Sequence, residues 1–310
     1  MTLSGRDRMV RREAGQLTIL DIARDGRVLL SSTDASTGMV AVGPGETAER
    51  DLTWLDISQV DALSGDGRTL LFDEWGRGGG AIGAVYLRKL DGSDAIRLAE
   101  GTGLAISKDA RWVLASGPEG LALLPTGPGK PRALGGKGLQ VNFWGGSLDG
   151  ETAGYFRGNE PGNPERLYRV DLSGAMAPKP ISPEGVSDRG IALSPDGKQI
   201  ASPGPDHKIL LYPADGGTPR ALPGAAPYEV PVQFDDDGRS LYVWDRREVP
   251  ARVQRITLET GQRQLWKELA PADRTGVFRI SKVVMTPDGR SYAYSFTRLL
   301  TTLYVASGMY

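Results

Sequence analysis

The chain has 310 residues, 39% hydrophobic and 24% charged, with 42 Gly and 21 Pro spread evenly along it. A net charge of −1 and the lack of any Lys/Arg block exclude a phosphate-binding surface, because nucleic-acid binders attract the polyanion with a basic excess. Cysteine is absent and there is one His, which excludes disulfides, thiol nucleophiles, Cys-ligated zinc and His-cluster metal centres.

The N-terminal stretch TLSGRDRMVRREAG (2–15) lacks an apolar core of the secretory kind, and no apolar run in the chain approaches the roughly 18 residues that span a bilayer. No membrane insertion by this chain is therefore expected, and its compartment is left open. Seven related segments follow: ARDGRVLL (23–30), SGDGRTLLF (64–72), SKDARWVLA (107–115), SLDGETAGYF (147–156), SPDGKQIAS (194–202), DDDGRSLYV (235–243) and TPDGRSYAY (286–294). Their aspartates, Asp25, Asp66, Asp109, Asp149, Asp196, Asp237 and Asp288, recur every 40 to 51 residues. In Ser194-Pro195-Asp196-Gly197, proline presets φ for a type I turn, Asp bonds locally to backbone and Gly takes the left-handed place that closes a hairpin. A second recurring turn lies some 20 to 30 residues later, in KLDGSDAIRL, DLSGAMAPKPI, PADGGTPRAL and TLETGQRQLW. Each unit thus reads as four strands, a to d, with the Asp-Gly turn joining a to b and the second turn joining c to d.

A unit of about 44 residues cannot bury both faces of its sheet alone, so neighbours must cover each other. The pattern predicts an all-β, seven-bladed β-propeller of four-stranded antiparallel blades, with six blades as the alternative, forming one domain over 1–310. The opening stretch aligns with DLSGAMAPKPISPEG (171–185) as the end of a strand c followed by a strand d. TTLYVASGMY (301–310) reads as a strand c with no d behind it. Residues 6–12 are accordingly expected to supply the outer strand of the last blade and close the ring. The leftover strand fragment also suggests a segment cut from a longer repeat array, with an independent chain as the other reading. Ala110 stands where the other repeats have Gly, so its turn either differs in type or holds a strained residue.

The S/T-P-D-G-[KR] segments and c-strands such as RLYRVDLSG resemble TolB-type, WD-repeat-like propellers over essentially the whole chain. More narrowly, LTILDIARDGRVLLSS (17–32), GGGAIGAVYLRKLDGS (78–93), RGNEPG (157–162) and PDGRSYAYSFTRLL (287–300) resemble the C-terminal propeller region of large bacterial serine/threonine protein kinases. That resemblance implies a module for sensing or interaction in a larger bacterial signalling protein, one whose propeller sits outside the cytoplasm behind a membrane anchor.

No catalytic residue and no cofactor is predicted. GGGAIGAV (78–85) satisfies the kinase-type G-x-G-x-x-G-x-V spacing, but no V-A-I-K, H-R-D or D-F-G follows, and it reads as a b–c loop. No G-x-S-x-G nucleophile turn exists, and the lone His207 beside Asp206 reads as a solvated loop residue. Asp235-Asp236-Asp237 lacks the spacing of a calcium loop and belongs to a repeat turn, so no metal is predicted.

That leaves surfaces. The b–c and d–a loops share one face, and their Trp, Tyr and Arg side chains are the anchors that interfaces favour. The candidates are Trp75, Arg157, Tyr228, Trp244, Arg246 and Arg247, with Trp244 also readable as packing between blades. The chain is expected to be a monomer and a non-enzymatic module for protein, peptide or small-ligand binding. A pore-active lyase- or hydrolase-type enzyme and a ligand-free scaffold are the alternatives; the enzyme would need carboxylates or His converging on the inner strands.

Overall fold

The computed structural model describes residues 15–150, 152–187 and 189–307. Those residues form twenty-five strands and no helix, and so no helix long and apolar enough to cross a membrane. In chain order the first three are β1 (Gln16–Ile22), β2 (Val28–Val42) and β3 (Arg50–Asp51). Five four-stranded antiparallel blades follow. The first is β4 (Ser58–Leu63), β5 (Thr69–Glu74), β6 (Ala84–Lys89) and β7 (Ile96–Glu100). The second is β8 (Thr102–Ile106), β9 (Trp112–Gly117), β10 (Gly120–Pro125) and β11 (Arg132–Gly135). The third is β12 (Gln140–Leu148), β13 (Ala153–Asn159), β14 (Arg166–Asp171) and β15 (Lys179–Pro180). The fourth is β16 (Ala192–Leu193), β17 (Gln199–Pro203), β18 (Ile209–Pro213) and β19 (Arg220–Ala221). The fifth is β20 (Glu229–Phe234), β21 (Ser240–Asp245), β22 (Ala251–Thr257) and β23 (Arg263–Leu269). The last two strands, β24 (Val277–Met285) and β25 (Tyr292–Ala306), form the sixth blade with β2 and β3 from the other end of the described chain.

The repeat turns hold for a local reason. Ser64 Oγ donates to Asp66 Oδ1 at 2.6 Å and accepts the Thr69 N–H at 2.9 Å, while Asp66 Oδ1 also accepts the Arg68 N–H. The same clasp recurs at Ser107/Asp109, Ser194/Asp196 and Thr286/Asp288. Gly67, Gly197, Gly238 and Gly289 take the left-handed conformation near φ 70°, and Ala110 takes it too, at φ 58°. The third repeat therefore keeps the turn type and carries the strain of a Cβ there.

Six apolar clusters hold the blades together, and each is shared by two neighbours in turn. They join the first and second blades, the second and third, the third and fourth, the fourth and fifth, the fifth and sixth, and the sixth and first. Six seams for six sheets make a closed ring, so the described residues contain six blades, the smaller of the two counts that the repeats allow. The Asp25 turn does close a hairpin, but it joins β1 to β2 and lies outside the ring. The turn signature specifies only two strands; which sheet they join depends on what covers them.

Closure does run through the N-terminal part of the chain, by two strands. β2 pairs with β25 from Val28↔Ala306 to Val42↔Tyr292, and β3 supplies the outer position against Val40 and Ala41. The outer strand expected from residues 6–12 lies outside the described residues. Glu49 ties the two ends further, accepting from Tyr292 OH at 3.0 Å and Tyr294 OH at 2.9 Å; burial, then the Glu49 charge, pushes both phenols up. Ser295 Oγ on β25 accepts the Val60 N–H at 2.7 Å across the seam between the sixth and first blades.

Candidate functional site

Two places on this scaffold concentrate chemistry. The first is the channel along the ring axis, a cavity of about 750 Å³ lined by the inner strands and opening among the Asp-Gly turns. Its inner-strand carboxylate is Asp61 on β4, in SQVDAL, paired at 2.8 Å with Lys282 Nζ on β24, in ISKVVM. The pair bridges the first and sixth blades, with side chains 1% and 11% exposed. Behind it, Asp73 on β5 accepts the Gly103 N–H at 2.8 Å and so also touches the second blade. Burial and the neighbouring Asp61 charge raise the Asp73 carboxyl well above its usual range, and burial raises Asp61 against the pull of Lys282. Of the two acids, Asp73 is raised the further from the ordinary carboxylate range. Asp61, Lys282 and Asp73 together fasten three blades.

The second place is on the opposite face. Tyr228, at φ 69° in the loop before β20, stacks on His207 with ring centroids 4.7 Å apart, and its N–H donates to the His207 carbonyl. His207 itself sits at φ 62° in Pro205-Asp206-His207, a β17–β18 turn that copies the Pro-Asp-Gly pattern with His in the glycine place. The Arg247 guanidinium lies 4.7 Å from the Tyr228 ring centre and that of Arg246 lies 5.9 Å away. Arg247 is anchored by Asp245 at 2.6 Å. Backbone strain of this kind in two stacked residues is worth of order 1–3 kcal/mol each and persists where surrounding contacts hold it.

Of the six predicted anchors, Tyr228, Arg246 and Arg247 therefore converge, and His207, read as a solvated loop residue, completes the group. Trp75 is 37% exposed in the β5–β6 loop of another blade, against Gly83. Trp244 and Arg157 are each 2% exposed. Trp244 packs between the fifth and sixth blades, and Arg157 is held by Glu165, which also accepts from Asn142 at 2.7 Å. Both sit at the ends of b-strands, where the neighbouring blade covers them, so neither presents a contact surface. Sequence reading passed over Asp61, Asp73 and Lys282; the available signal was a charge on an inner strand, Asp61 on β4 and Lys282 on β24, and Asp73 gave none. In the Asp235–Asp237 run, Asp235 pairs with Arg255 and Asp237 accepts the Arg239 N–H. Among the described residues no three acidic, His or Cys side chains stand together as metal ligands do.

No protein-family model matches the sequence, and no curated protein matches it either. Solved structures do. A TolB protein from Agrobacterium tumefaciens matches with a TM-score of 0.60 at 19% identity, over 86% of this chain and 99% of that one. A nidogen/laminin complex matches at 0.52 and 13% identity, over 86% and 98%. An oligogalacturonate lyase in complex with manganese matches at 0.52 and 15%, over 89% and 77%. At these identities the likeness is one of fold, and the fold it shows is the β-propeller.

Proposed function

We propose that this propeller is a non-enzymatic binding module that engages a protein or peptide through its loop face, as a segment of a larger bacterial signalling protein. The observation that carries the reading is the convergence of Arg246, Arg247 and His207, from two blades, on the single ring of Tyr228. Tyr and Arg held rigidly at a surface lose little freedom on contact, which is what makes them anchors. The resemblance to propeller regions of bacterial serine/threonine kinases supports the wider setting, with the propeller outside the cytoplasm and the parent protein anchored in the membrane. The rival reading, a pore enzyme, has the lyase among the structural neighbours and the polar channel in its favour. Against it, Asp61 and Lys282 neutralise one another at 2.8 Å, which leaves neither poised for proton transfer.

Selection from a random-peptide display library tests the proposal. Peptides that bind the parent chain should lose roughly tenfold or more in affinity for Tyr228→Ala and for Arg247→Ala. Selected peptides that bind both variants as well as the parent, or that lose affinity only for Asp61→Asn, would move the site away from the loop face.

A further inference from the structure

Two seams of the ring share a latch. Asp73 on β5 accepts the Gly103 N–H of the second blade at 2.8 Å, and Ser295 on β25 accepts the Val60 N–H of the first blade at 2.7 Å. Each acceptor stands four residues beyond the carbonyl that closes its own Asp-Gly turn, Thr69 and Ser291. Each N–H stands four residues before the amide that closes the next blade's turn, Ser107 and Ser64. By the same count the seam from the third to the fourth blade matches Arg157, four beyond Ala153, with Gly190, four before Ser194. Arg157 shares its face of β13 with Tyr155, which packs in the apolar cluster of that seam. A guanidinium has donors and no acceptor, so donor is matched with donor where the other two seams have a hydrogen bond.

Arg157 is also lightly paired for a buried cation. It is 2% exposed, its Nη2 bonds Glu165, and its Nε and Nη1 are buried without an acceptor. Glu165 is 29% exposed and divides its charge between Arg157 and Asn142. A charge in that setting calls for further acceptors. Across the seam, Tyr212 on β18 is buried, and burial pushes its phenol up to about 12 against the pull of the Arg157 charge, so it keeps its O–H. That hydroxyl lies 3.5 Å from where a Cβ on Gly204 would stand.

We infer that the seam between the third and fourth blades binds a halide ion, of the size of chloride or bromide, on Nε and Nη1 of Arg157. A halide accepts from several donors and asks for no acceptor in return, whereas a water there must also place its own two hydrogens. Because the guanidinium is sealed from solvent, a carboxylate carried by a docking partner cannot reach it, and a small free ion enters when the seam opens. The site also underlies the loop face. The Glu165 carbonyl accepts the Gly185 and Val186 N–H groups, and Ser187 next to them bonds Pro203 and Gly204 and lies 3.4 Å from His207 Nδ1. The ion thus steadies the segment on which the His207–Tyr228 stack rests, and its binding does not depend on the loop-face proposal.

Thermal melts in mixtures of sodium bromide and sodium gluconate at constant ionic strength test this. The melting temperature should rise by about 2–4 °C for each tenfold increase in bromide above its dissociation constant. Arg157→Gln should lose the rise, whereas Arg252→Gln, at an exposed ion pair of the fifth blade, should keep it. Crystals of the parent chain grown in bromide should show an anomalous peak beside Nε and Nη1 of Arg157, a reading that decides the matter if Arg157→Gln does not fold. The inference is overturned if the melting temperature does not rise as bromide replaces gluconate, or if Arg157→Gln retains the rise. Bromide peaks elsewhere only, with a water on these two nitrogens, overturn it as well.

Discussion

Strands β2 and β25 are each fifteen residues long and pair along their whole length, yet their two halves live in different worlds. In the ring half, Thr37–Val42 and Tyr292–Phe296 are almost wholly buried; in the outer half of β25, Leu299–Leu303 and Val305 are exposed, while Val28 and Leu30 of β2 stay buried. The ladder hydrogen bonds are alike in both. What differs is the neighbour: the ring half packs against the fifth blade on one side and the first on the other, through two of the six apolar clusters. Strand pairing makes the ribbon, and burial against adjacent blades turns part of it into a stable element.

Substituting the same strand at two places gives the largest separation. Phe296→Ala should cost about 3–5 kcal/mol in denaturant unfolding, as aromatic truncations in a packed core do. Leu303→Ala, seven residues on and 62% exposed, should cost under about 0.5 kcal/mol at a concentration where the chain is monomeric. Comparable costs at the two sites would break the comparison. Next in size, Glu49→Ala leaves the hydroxyls of Tyr292 and Tyr294 without their acceptor and should cost about 1–3 kcal/mol, with the loss confined to the closing blade in hydrogen exchange.

A pH series sharpens the contrast further, because the ring half carries buried titratable groups at its seam. Asp73 is raised by burial and by the charge of Asp61, so the folded state holds a proton that the unfolded state gives up. Its contribution is fully present below the ordinary carboxylate value of 3.8 and is lost as pH rises through the raised one. Asp73→Asn should flatten that decline. The repeat-turn aspartates have the opposite sign. Hydrogen bonds from Ser107 and from Ser194 lower Asp109 and Asp196, so their contribution is present above the ordinary value and lost as pH falls through the lowered one. Thermal melts of Asp73→Asn and the parent chain that decline in parallel above pH 5 would remove Asp73 from this account. The smallest effect belongs to a turn remote from the closing strands. Ala110→Gly relieves a left-handed Cβ at φ 58° and should gain about 0.5–1 kcal/mol, the strain relieved less the added freedom of glycine in the unfolded chain.

What could be read in advance divides along the same line. The Asp-Gly turns were legible because their bonds, such as Ser64 to Asp66 and Thr69, close within five residues. The c–d turns were legible for the same reason. The loop-face group was half legible: Tyr228, Arg246 and Arg247 were named from residue type and loop position. The left-handed His207 that stacks on Tyr228 is visible only as a histidine in the glycine place of a Pro-Asp-Gly-like β17–β18 turn. Trp244 and Arg157 look like anchors by type, and only the neighbouring blade shows that they are buried. The channel triad escaped because Lys282 lies 221 residues from Asp61 and only closure of the ring brings it to the Asp61/Asp73 hairpin.

By itself, then, the sequence determined the strand pairs and the turns between them, since these rest on contacts a few residues apart. The tertiary structure alone decided that the described residues form six blades, that β2 and β3 complete the last of them, and that the Asp25 hairpin stands outside them. Those outcomes depend on which apolar faces cover which, and such contacts join residues that no local motif relates, as Ser295 meets Val60 across the closing seam.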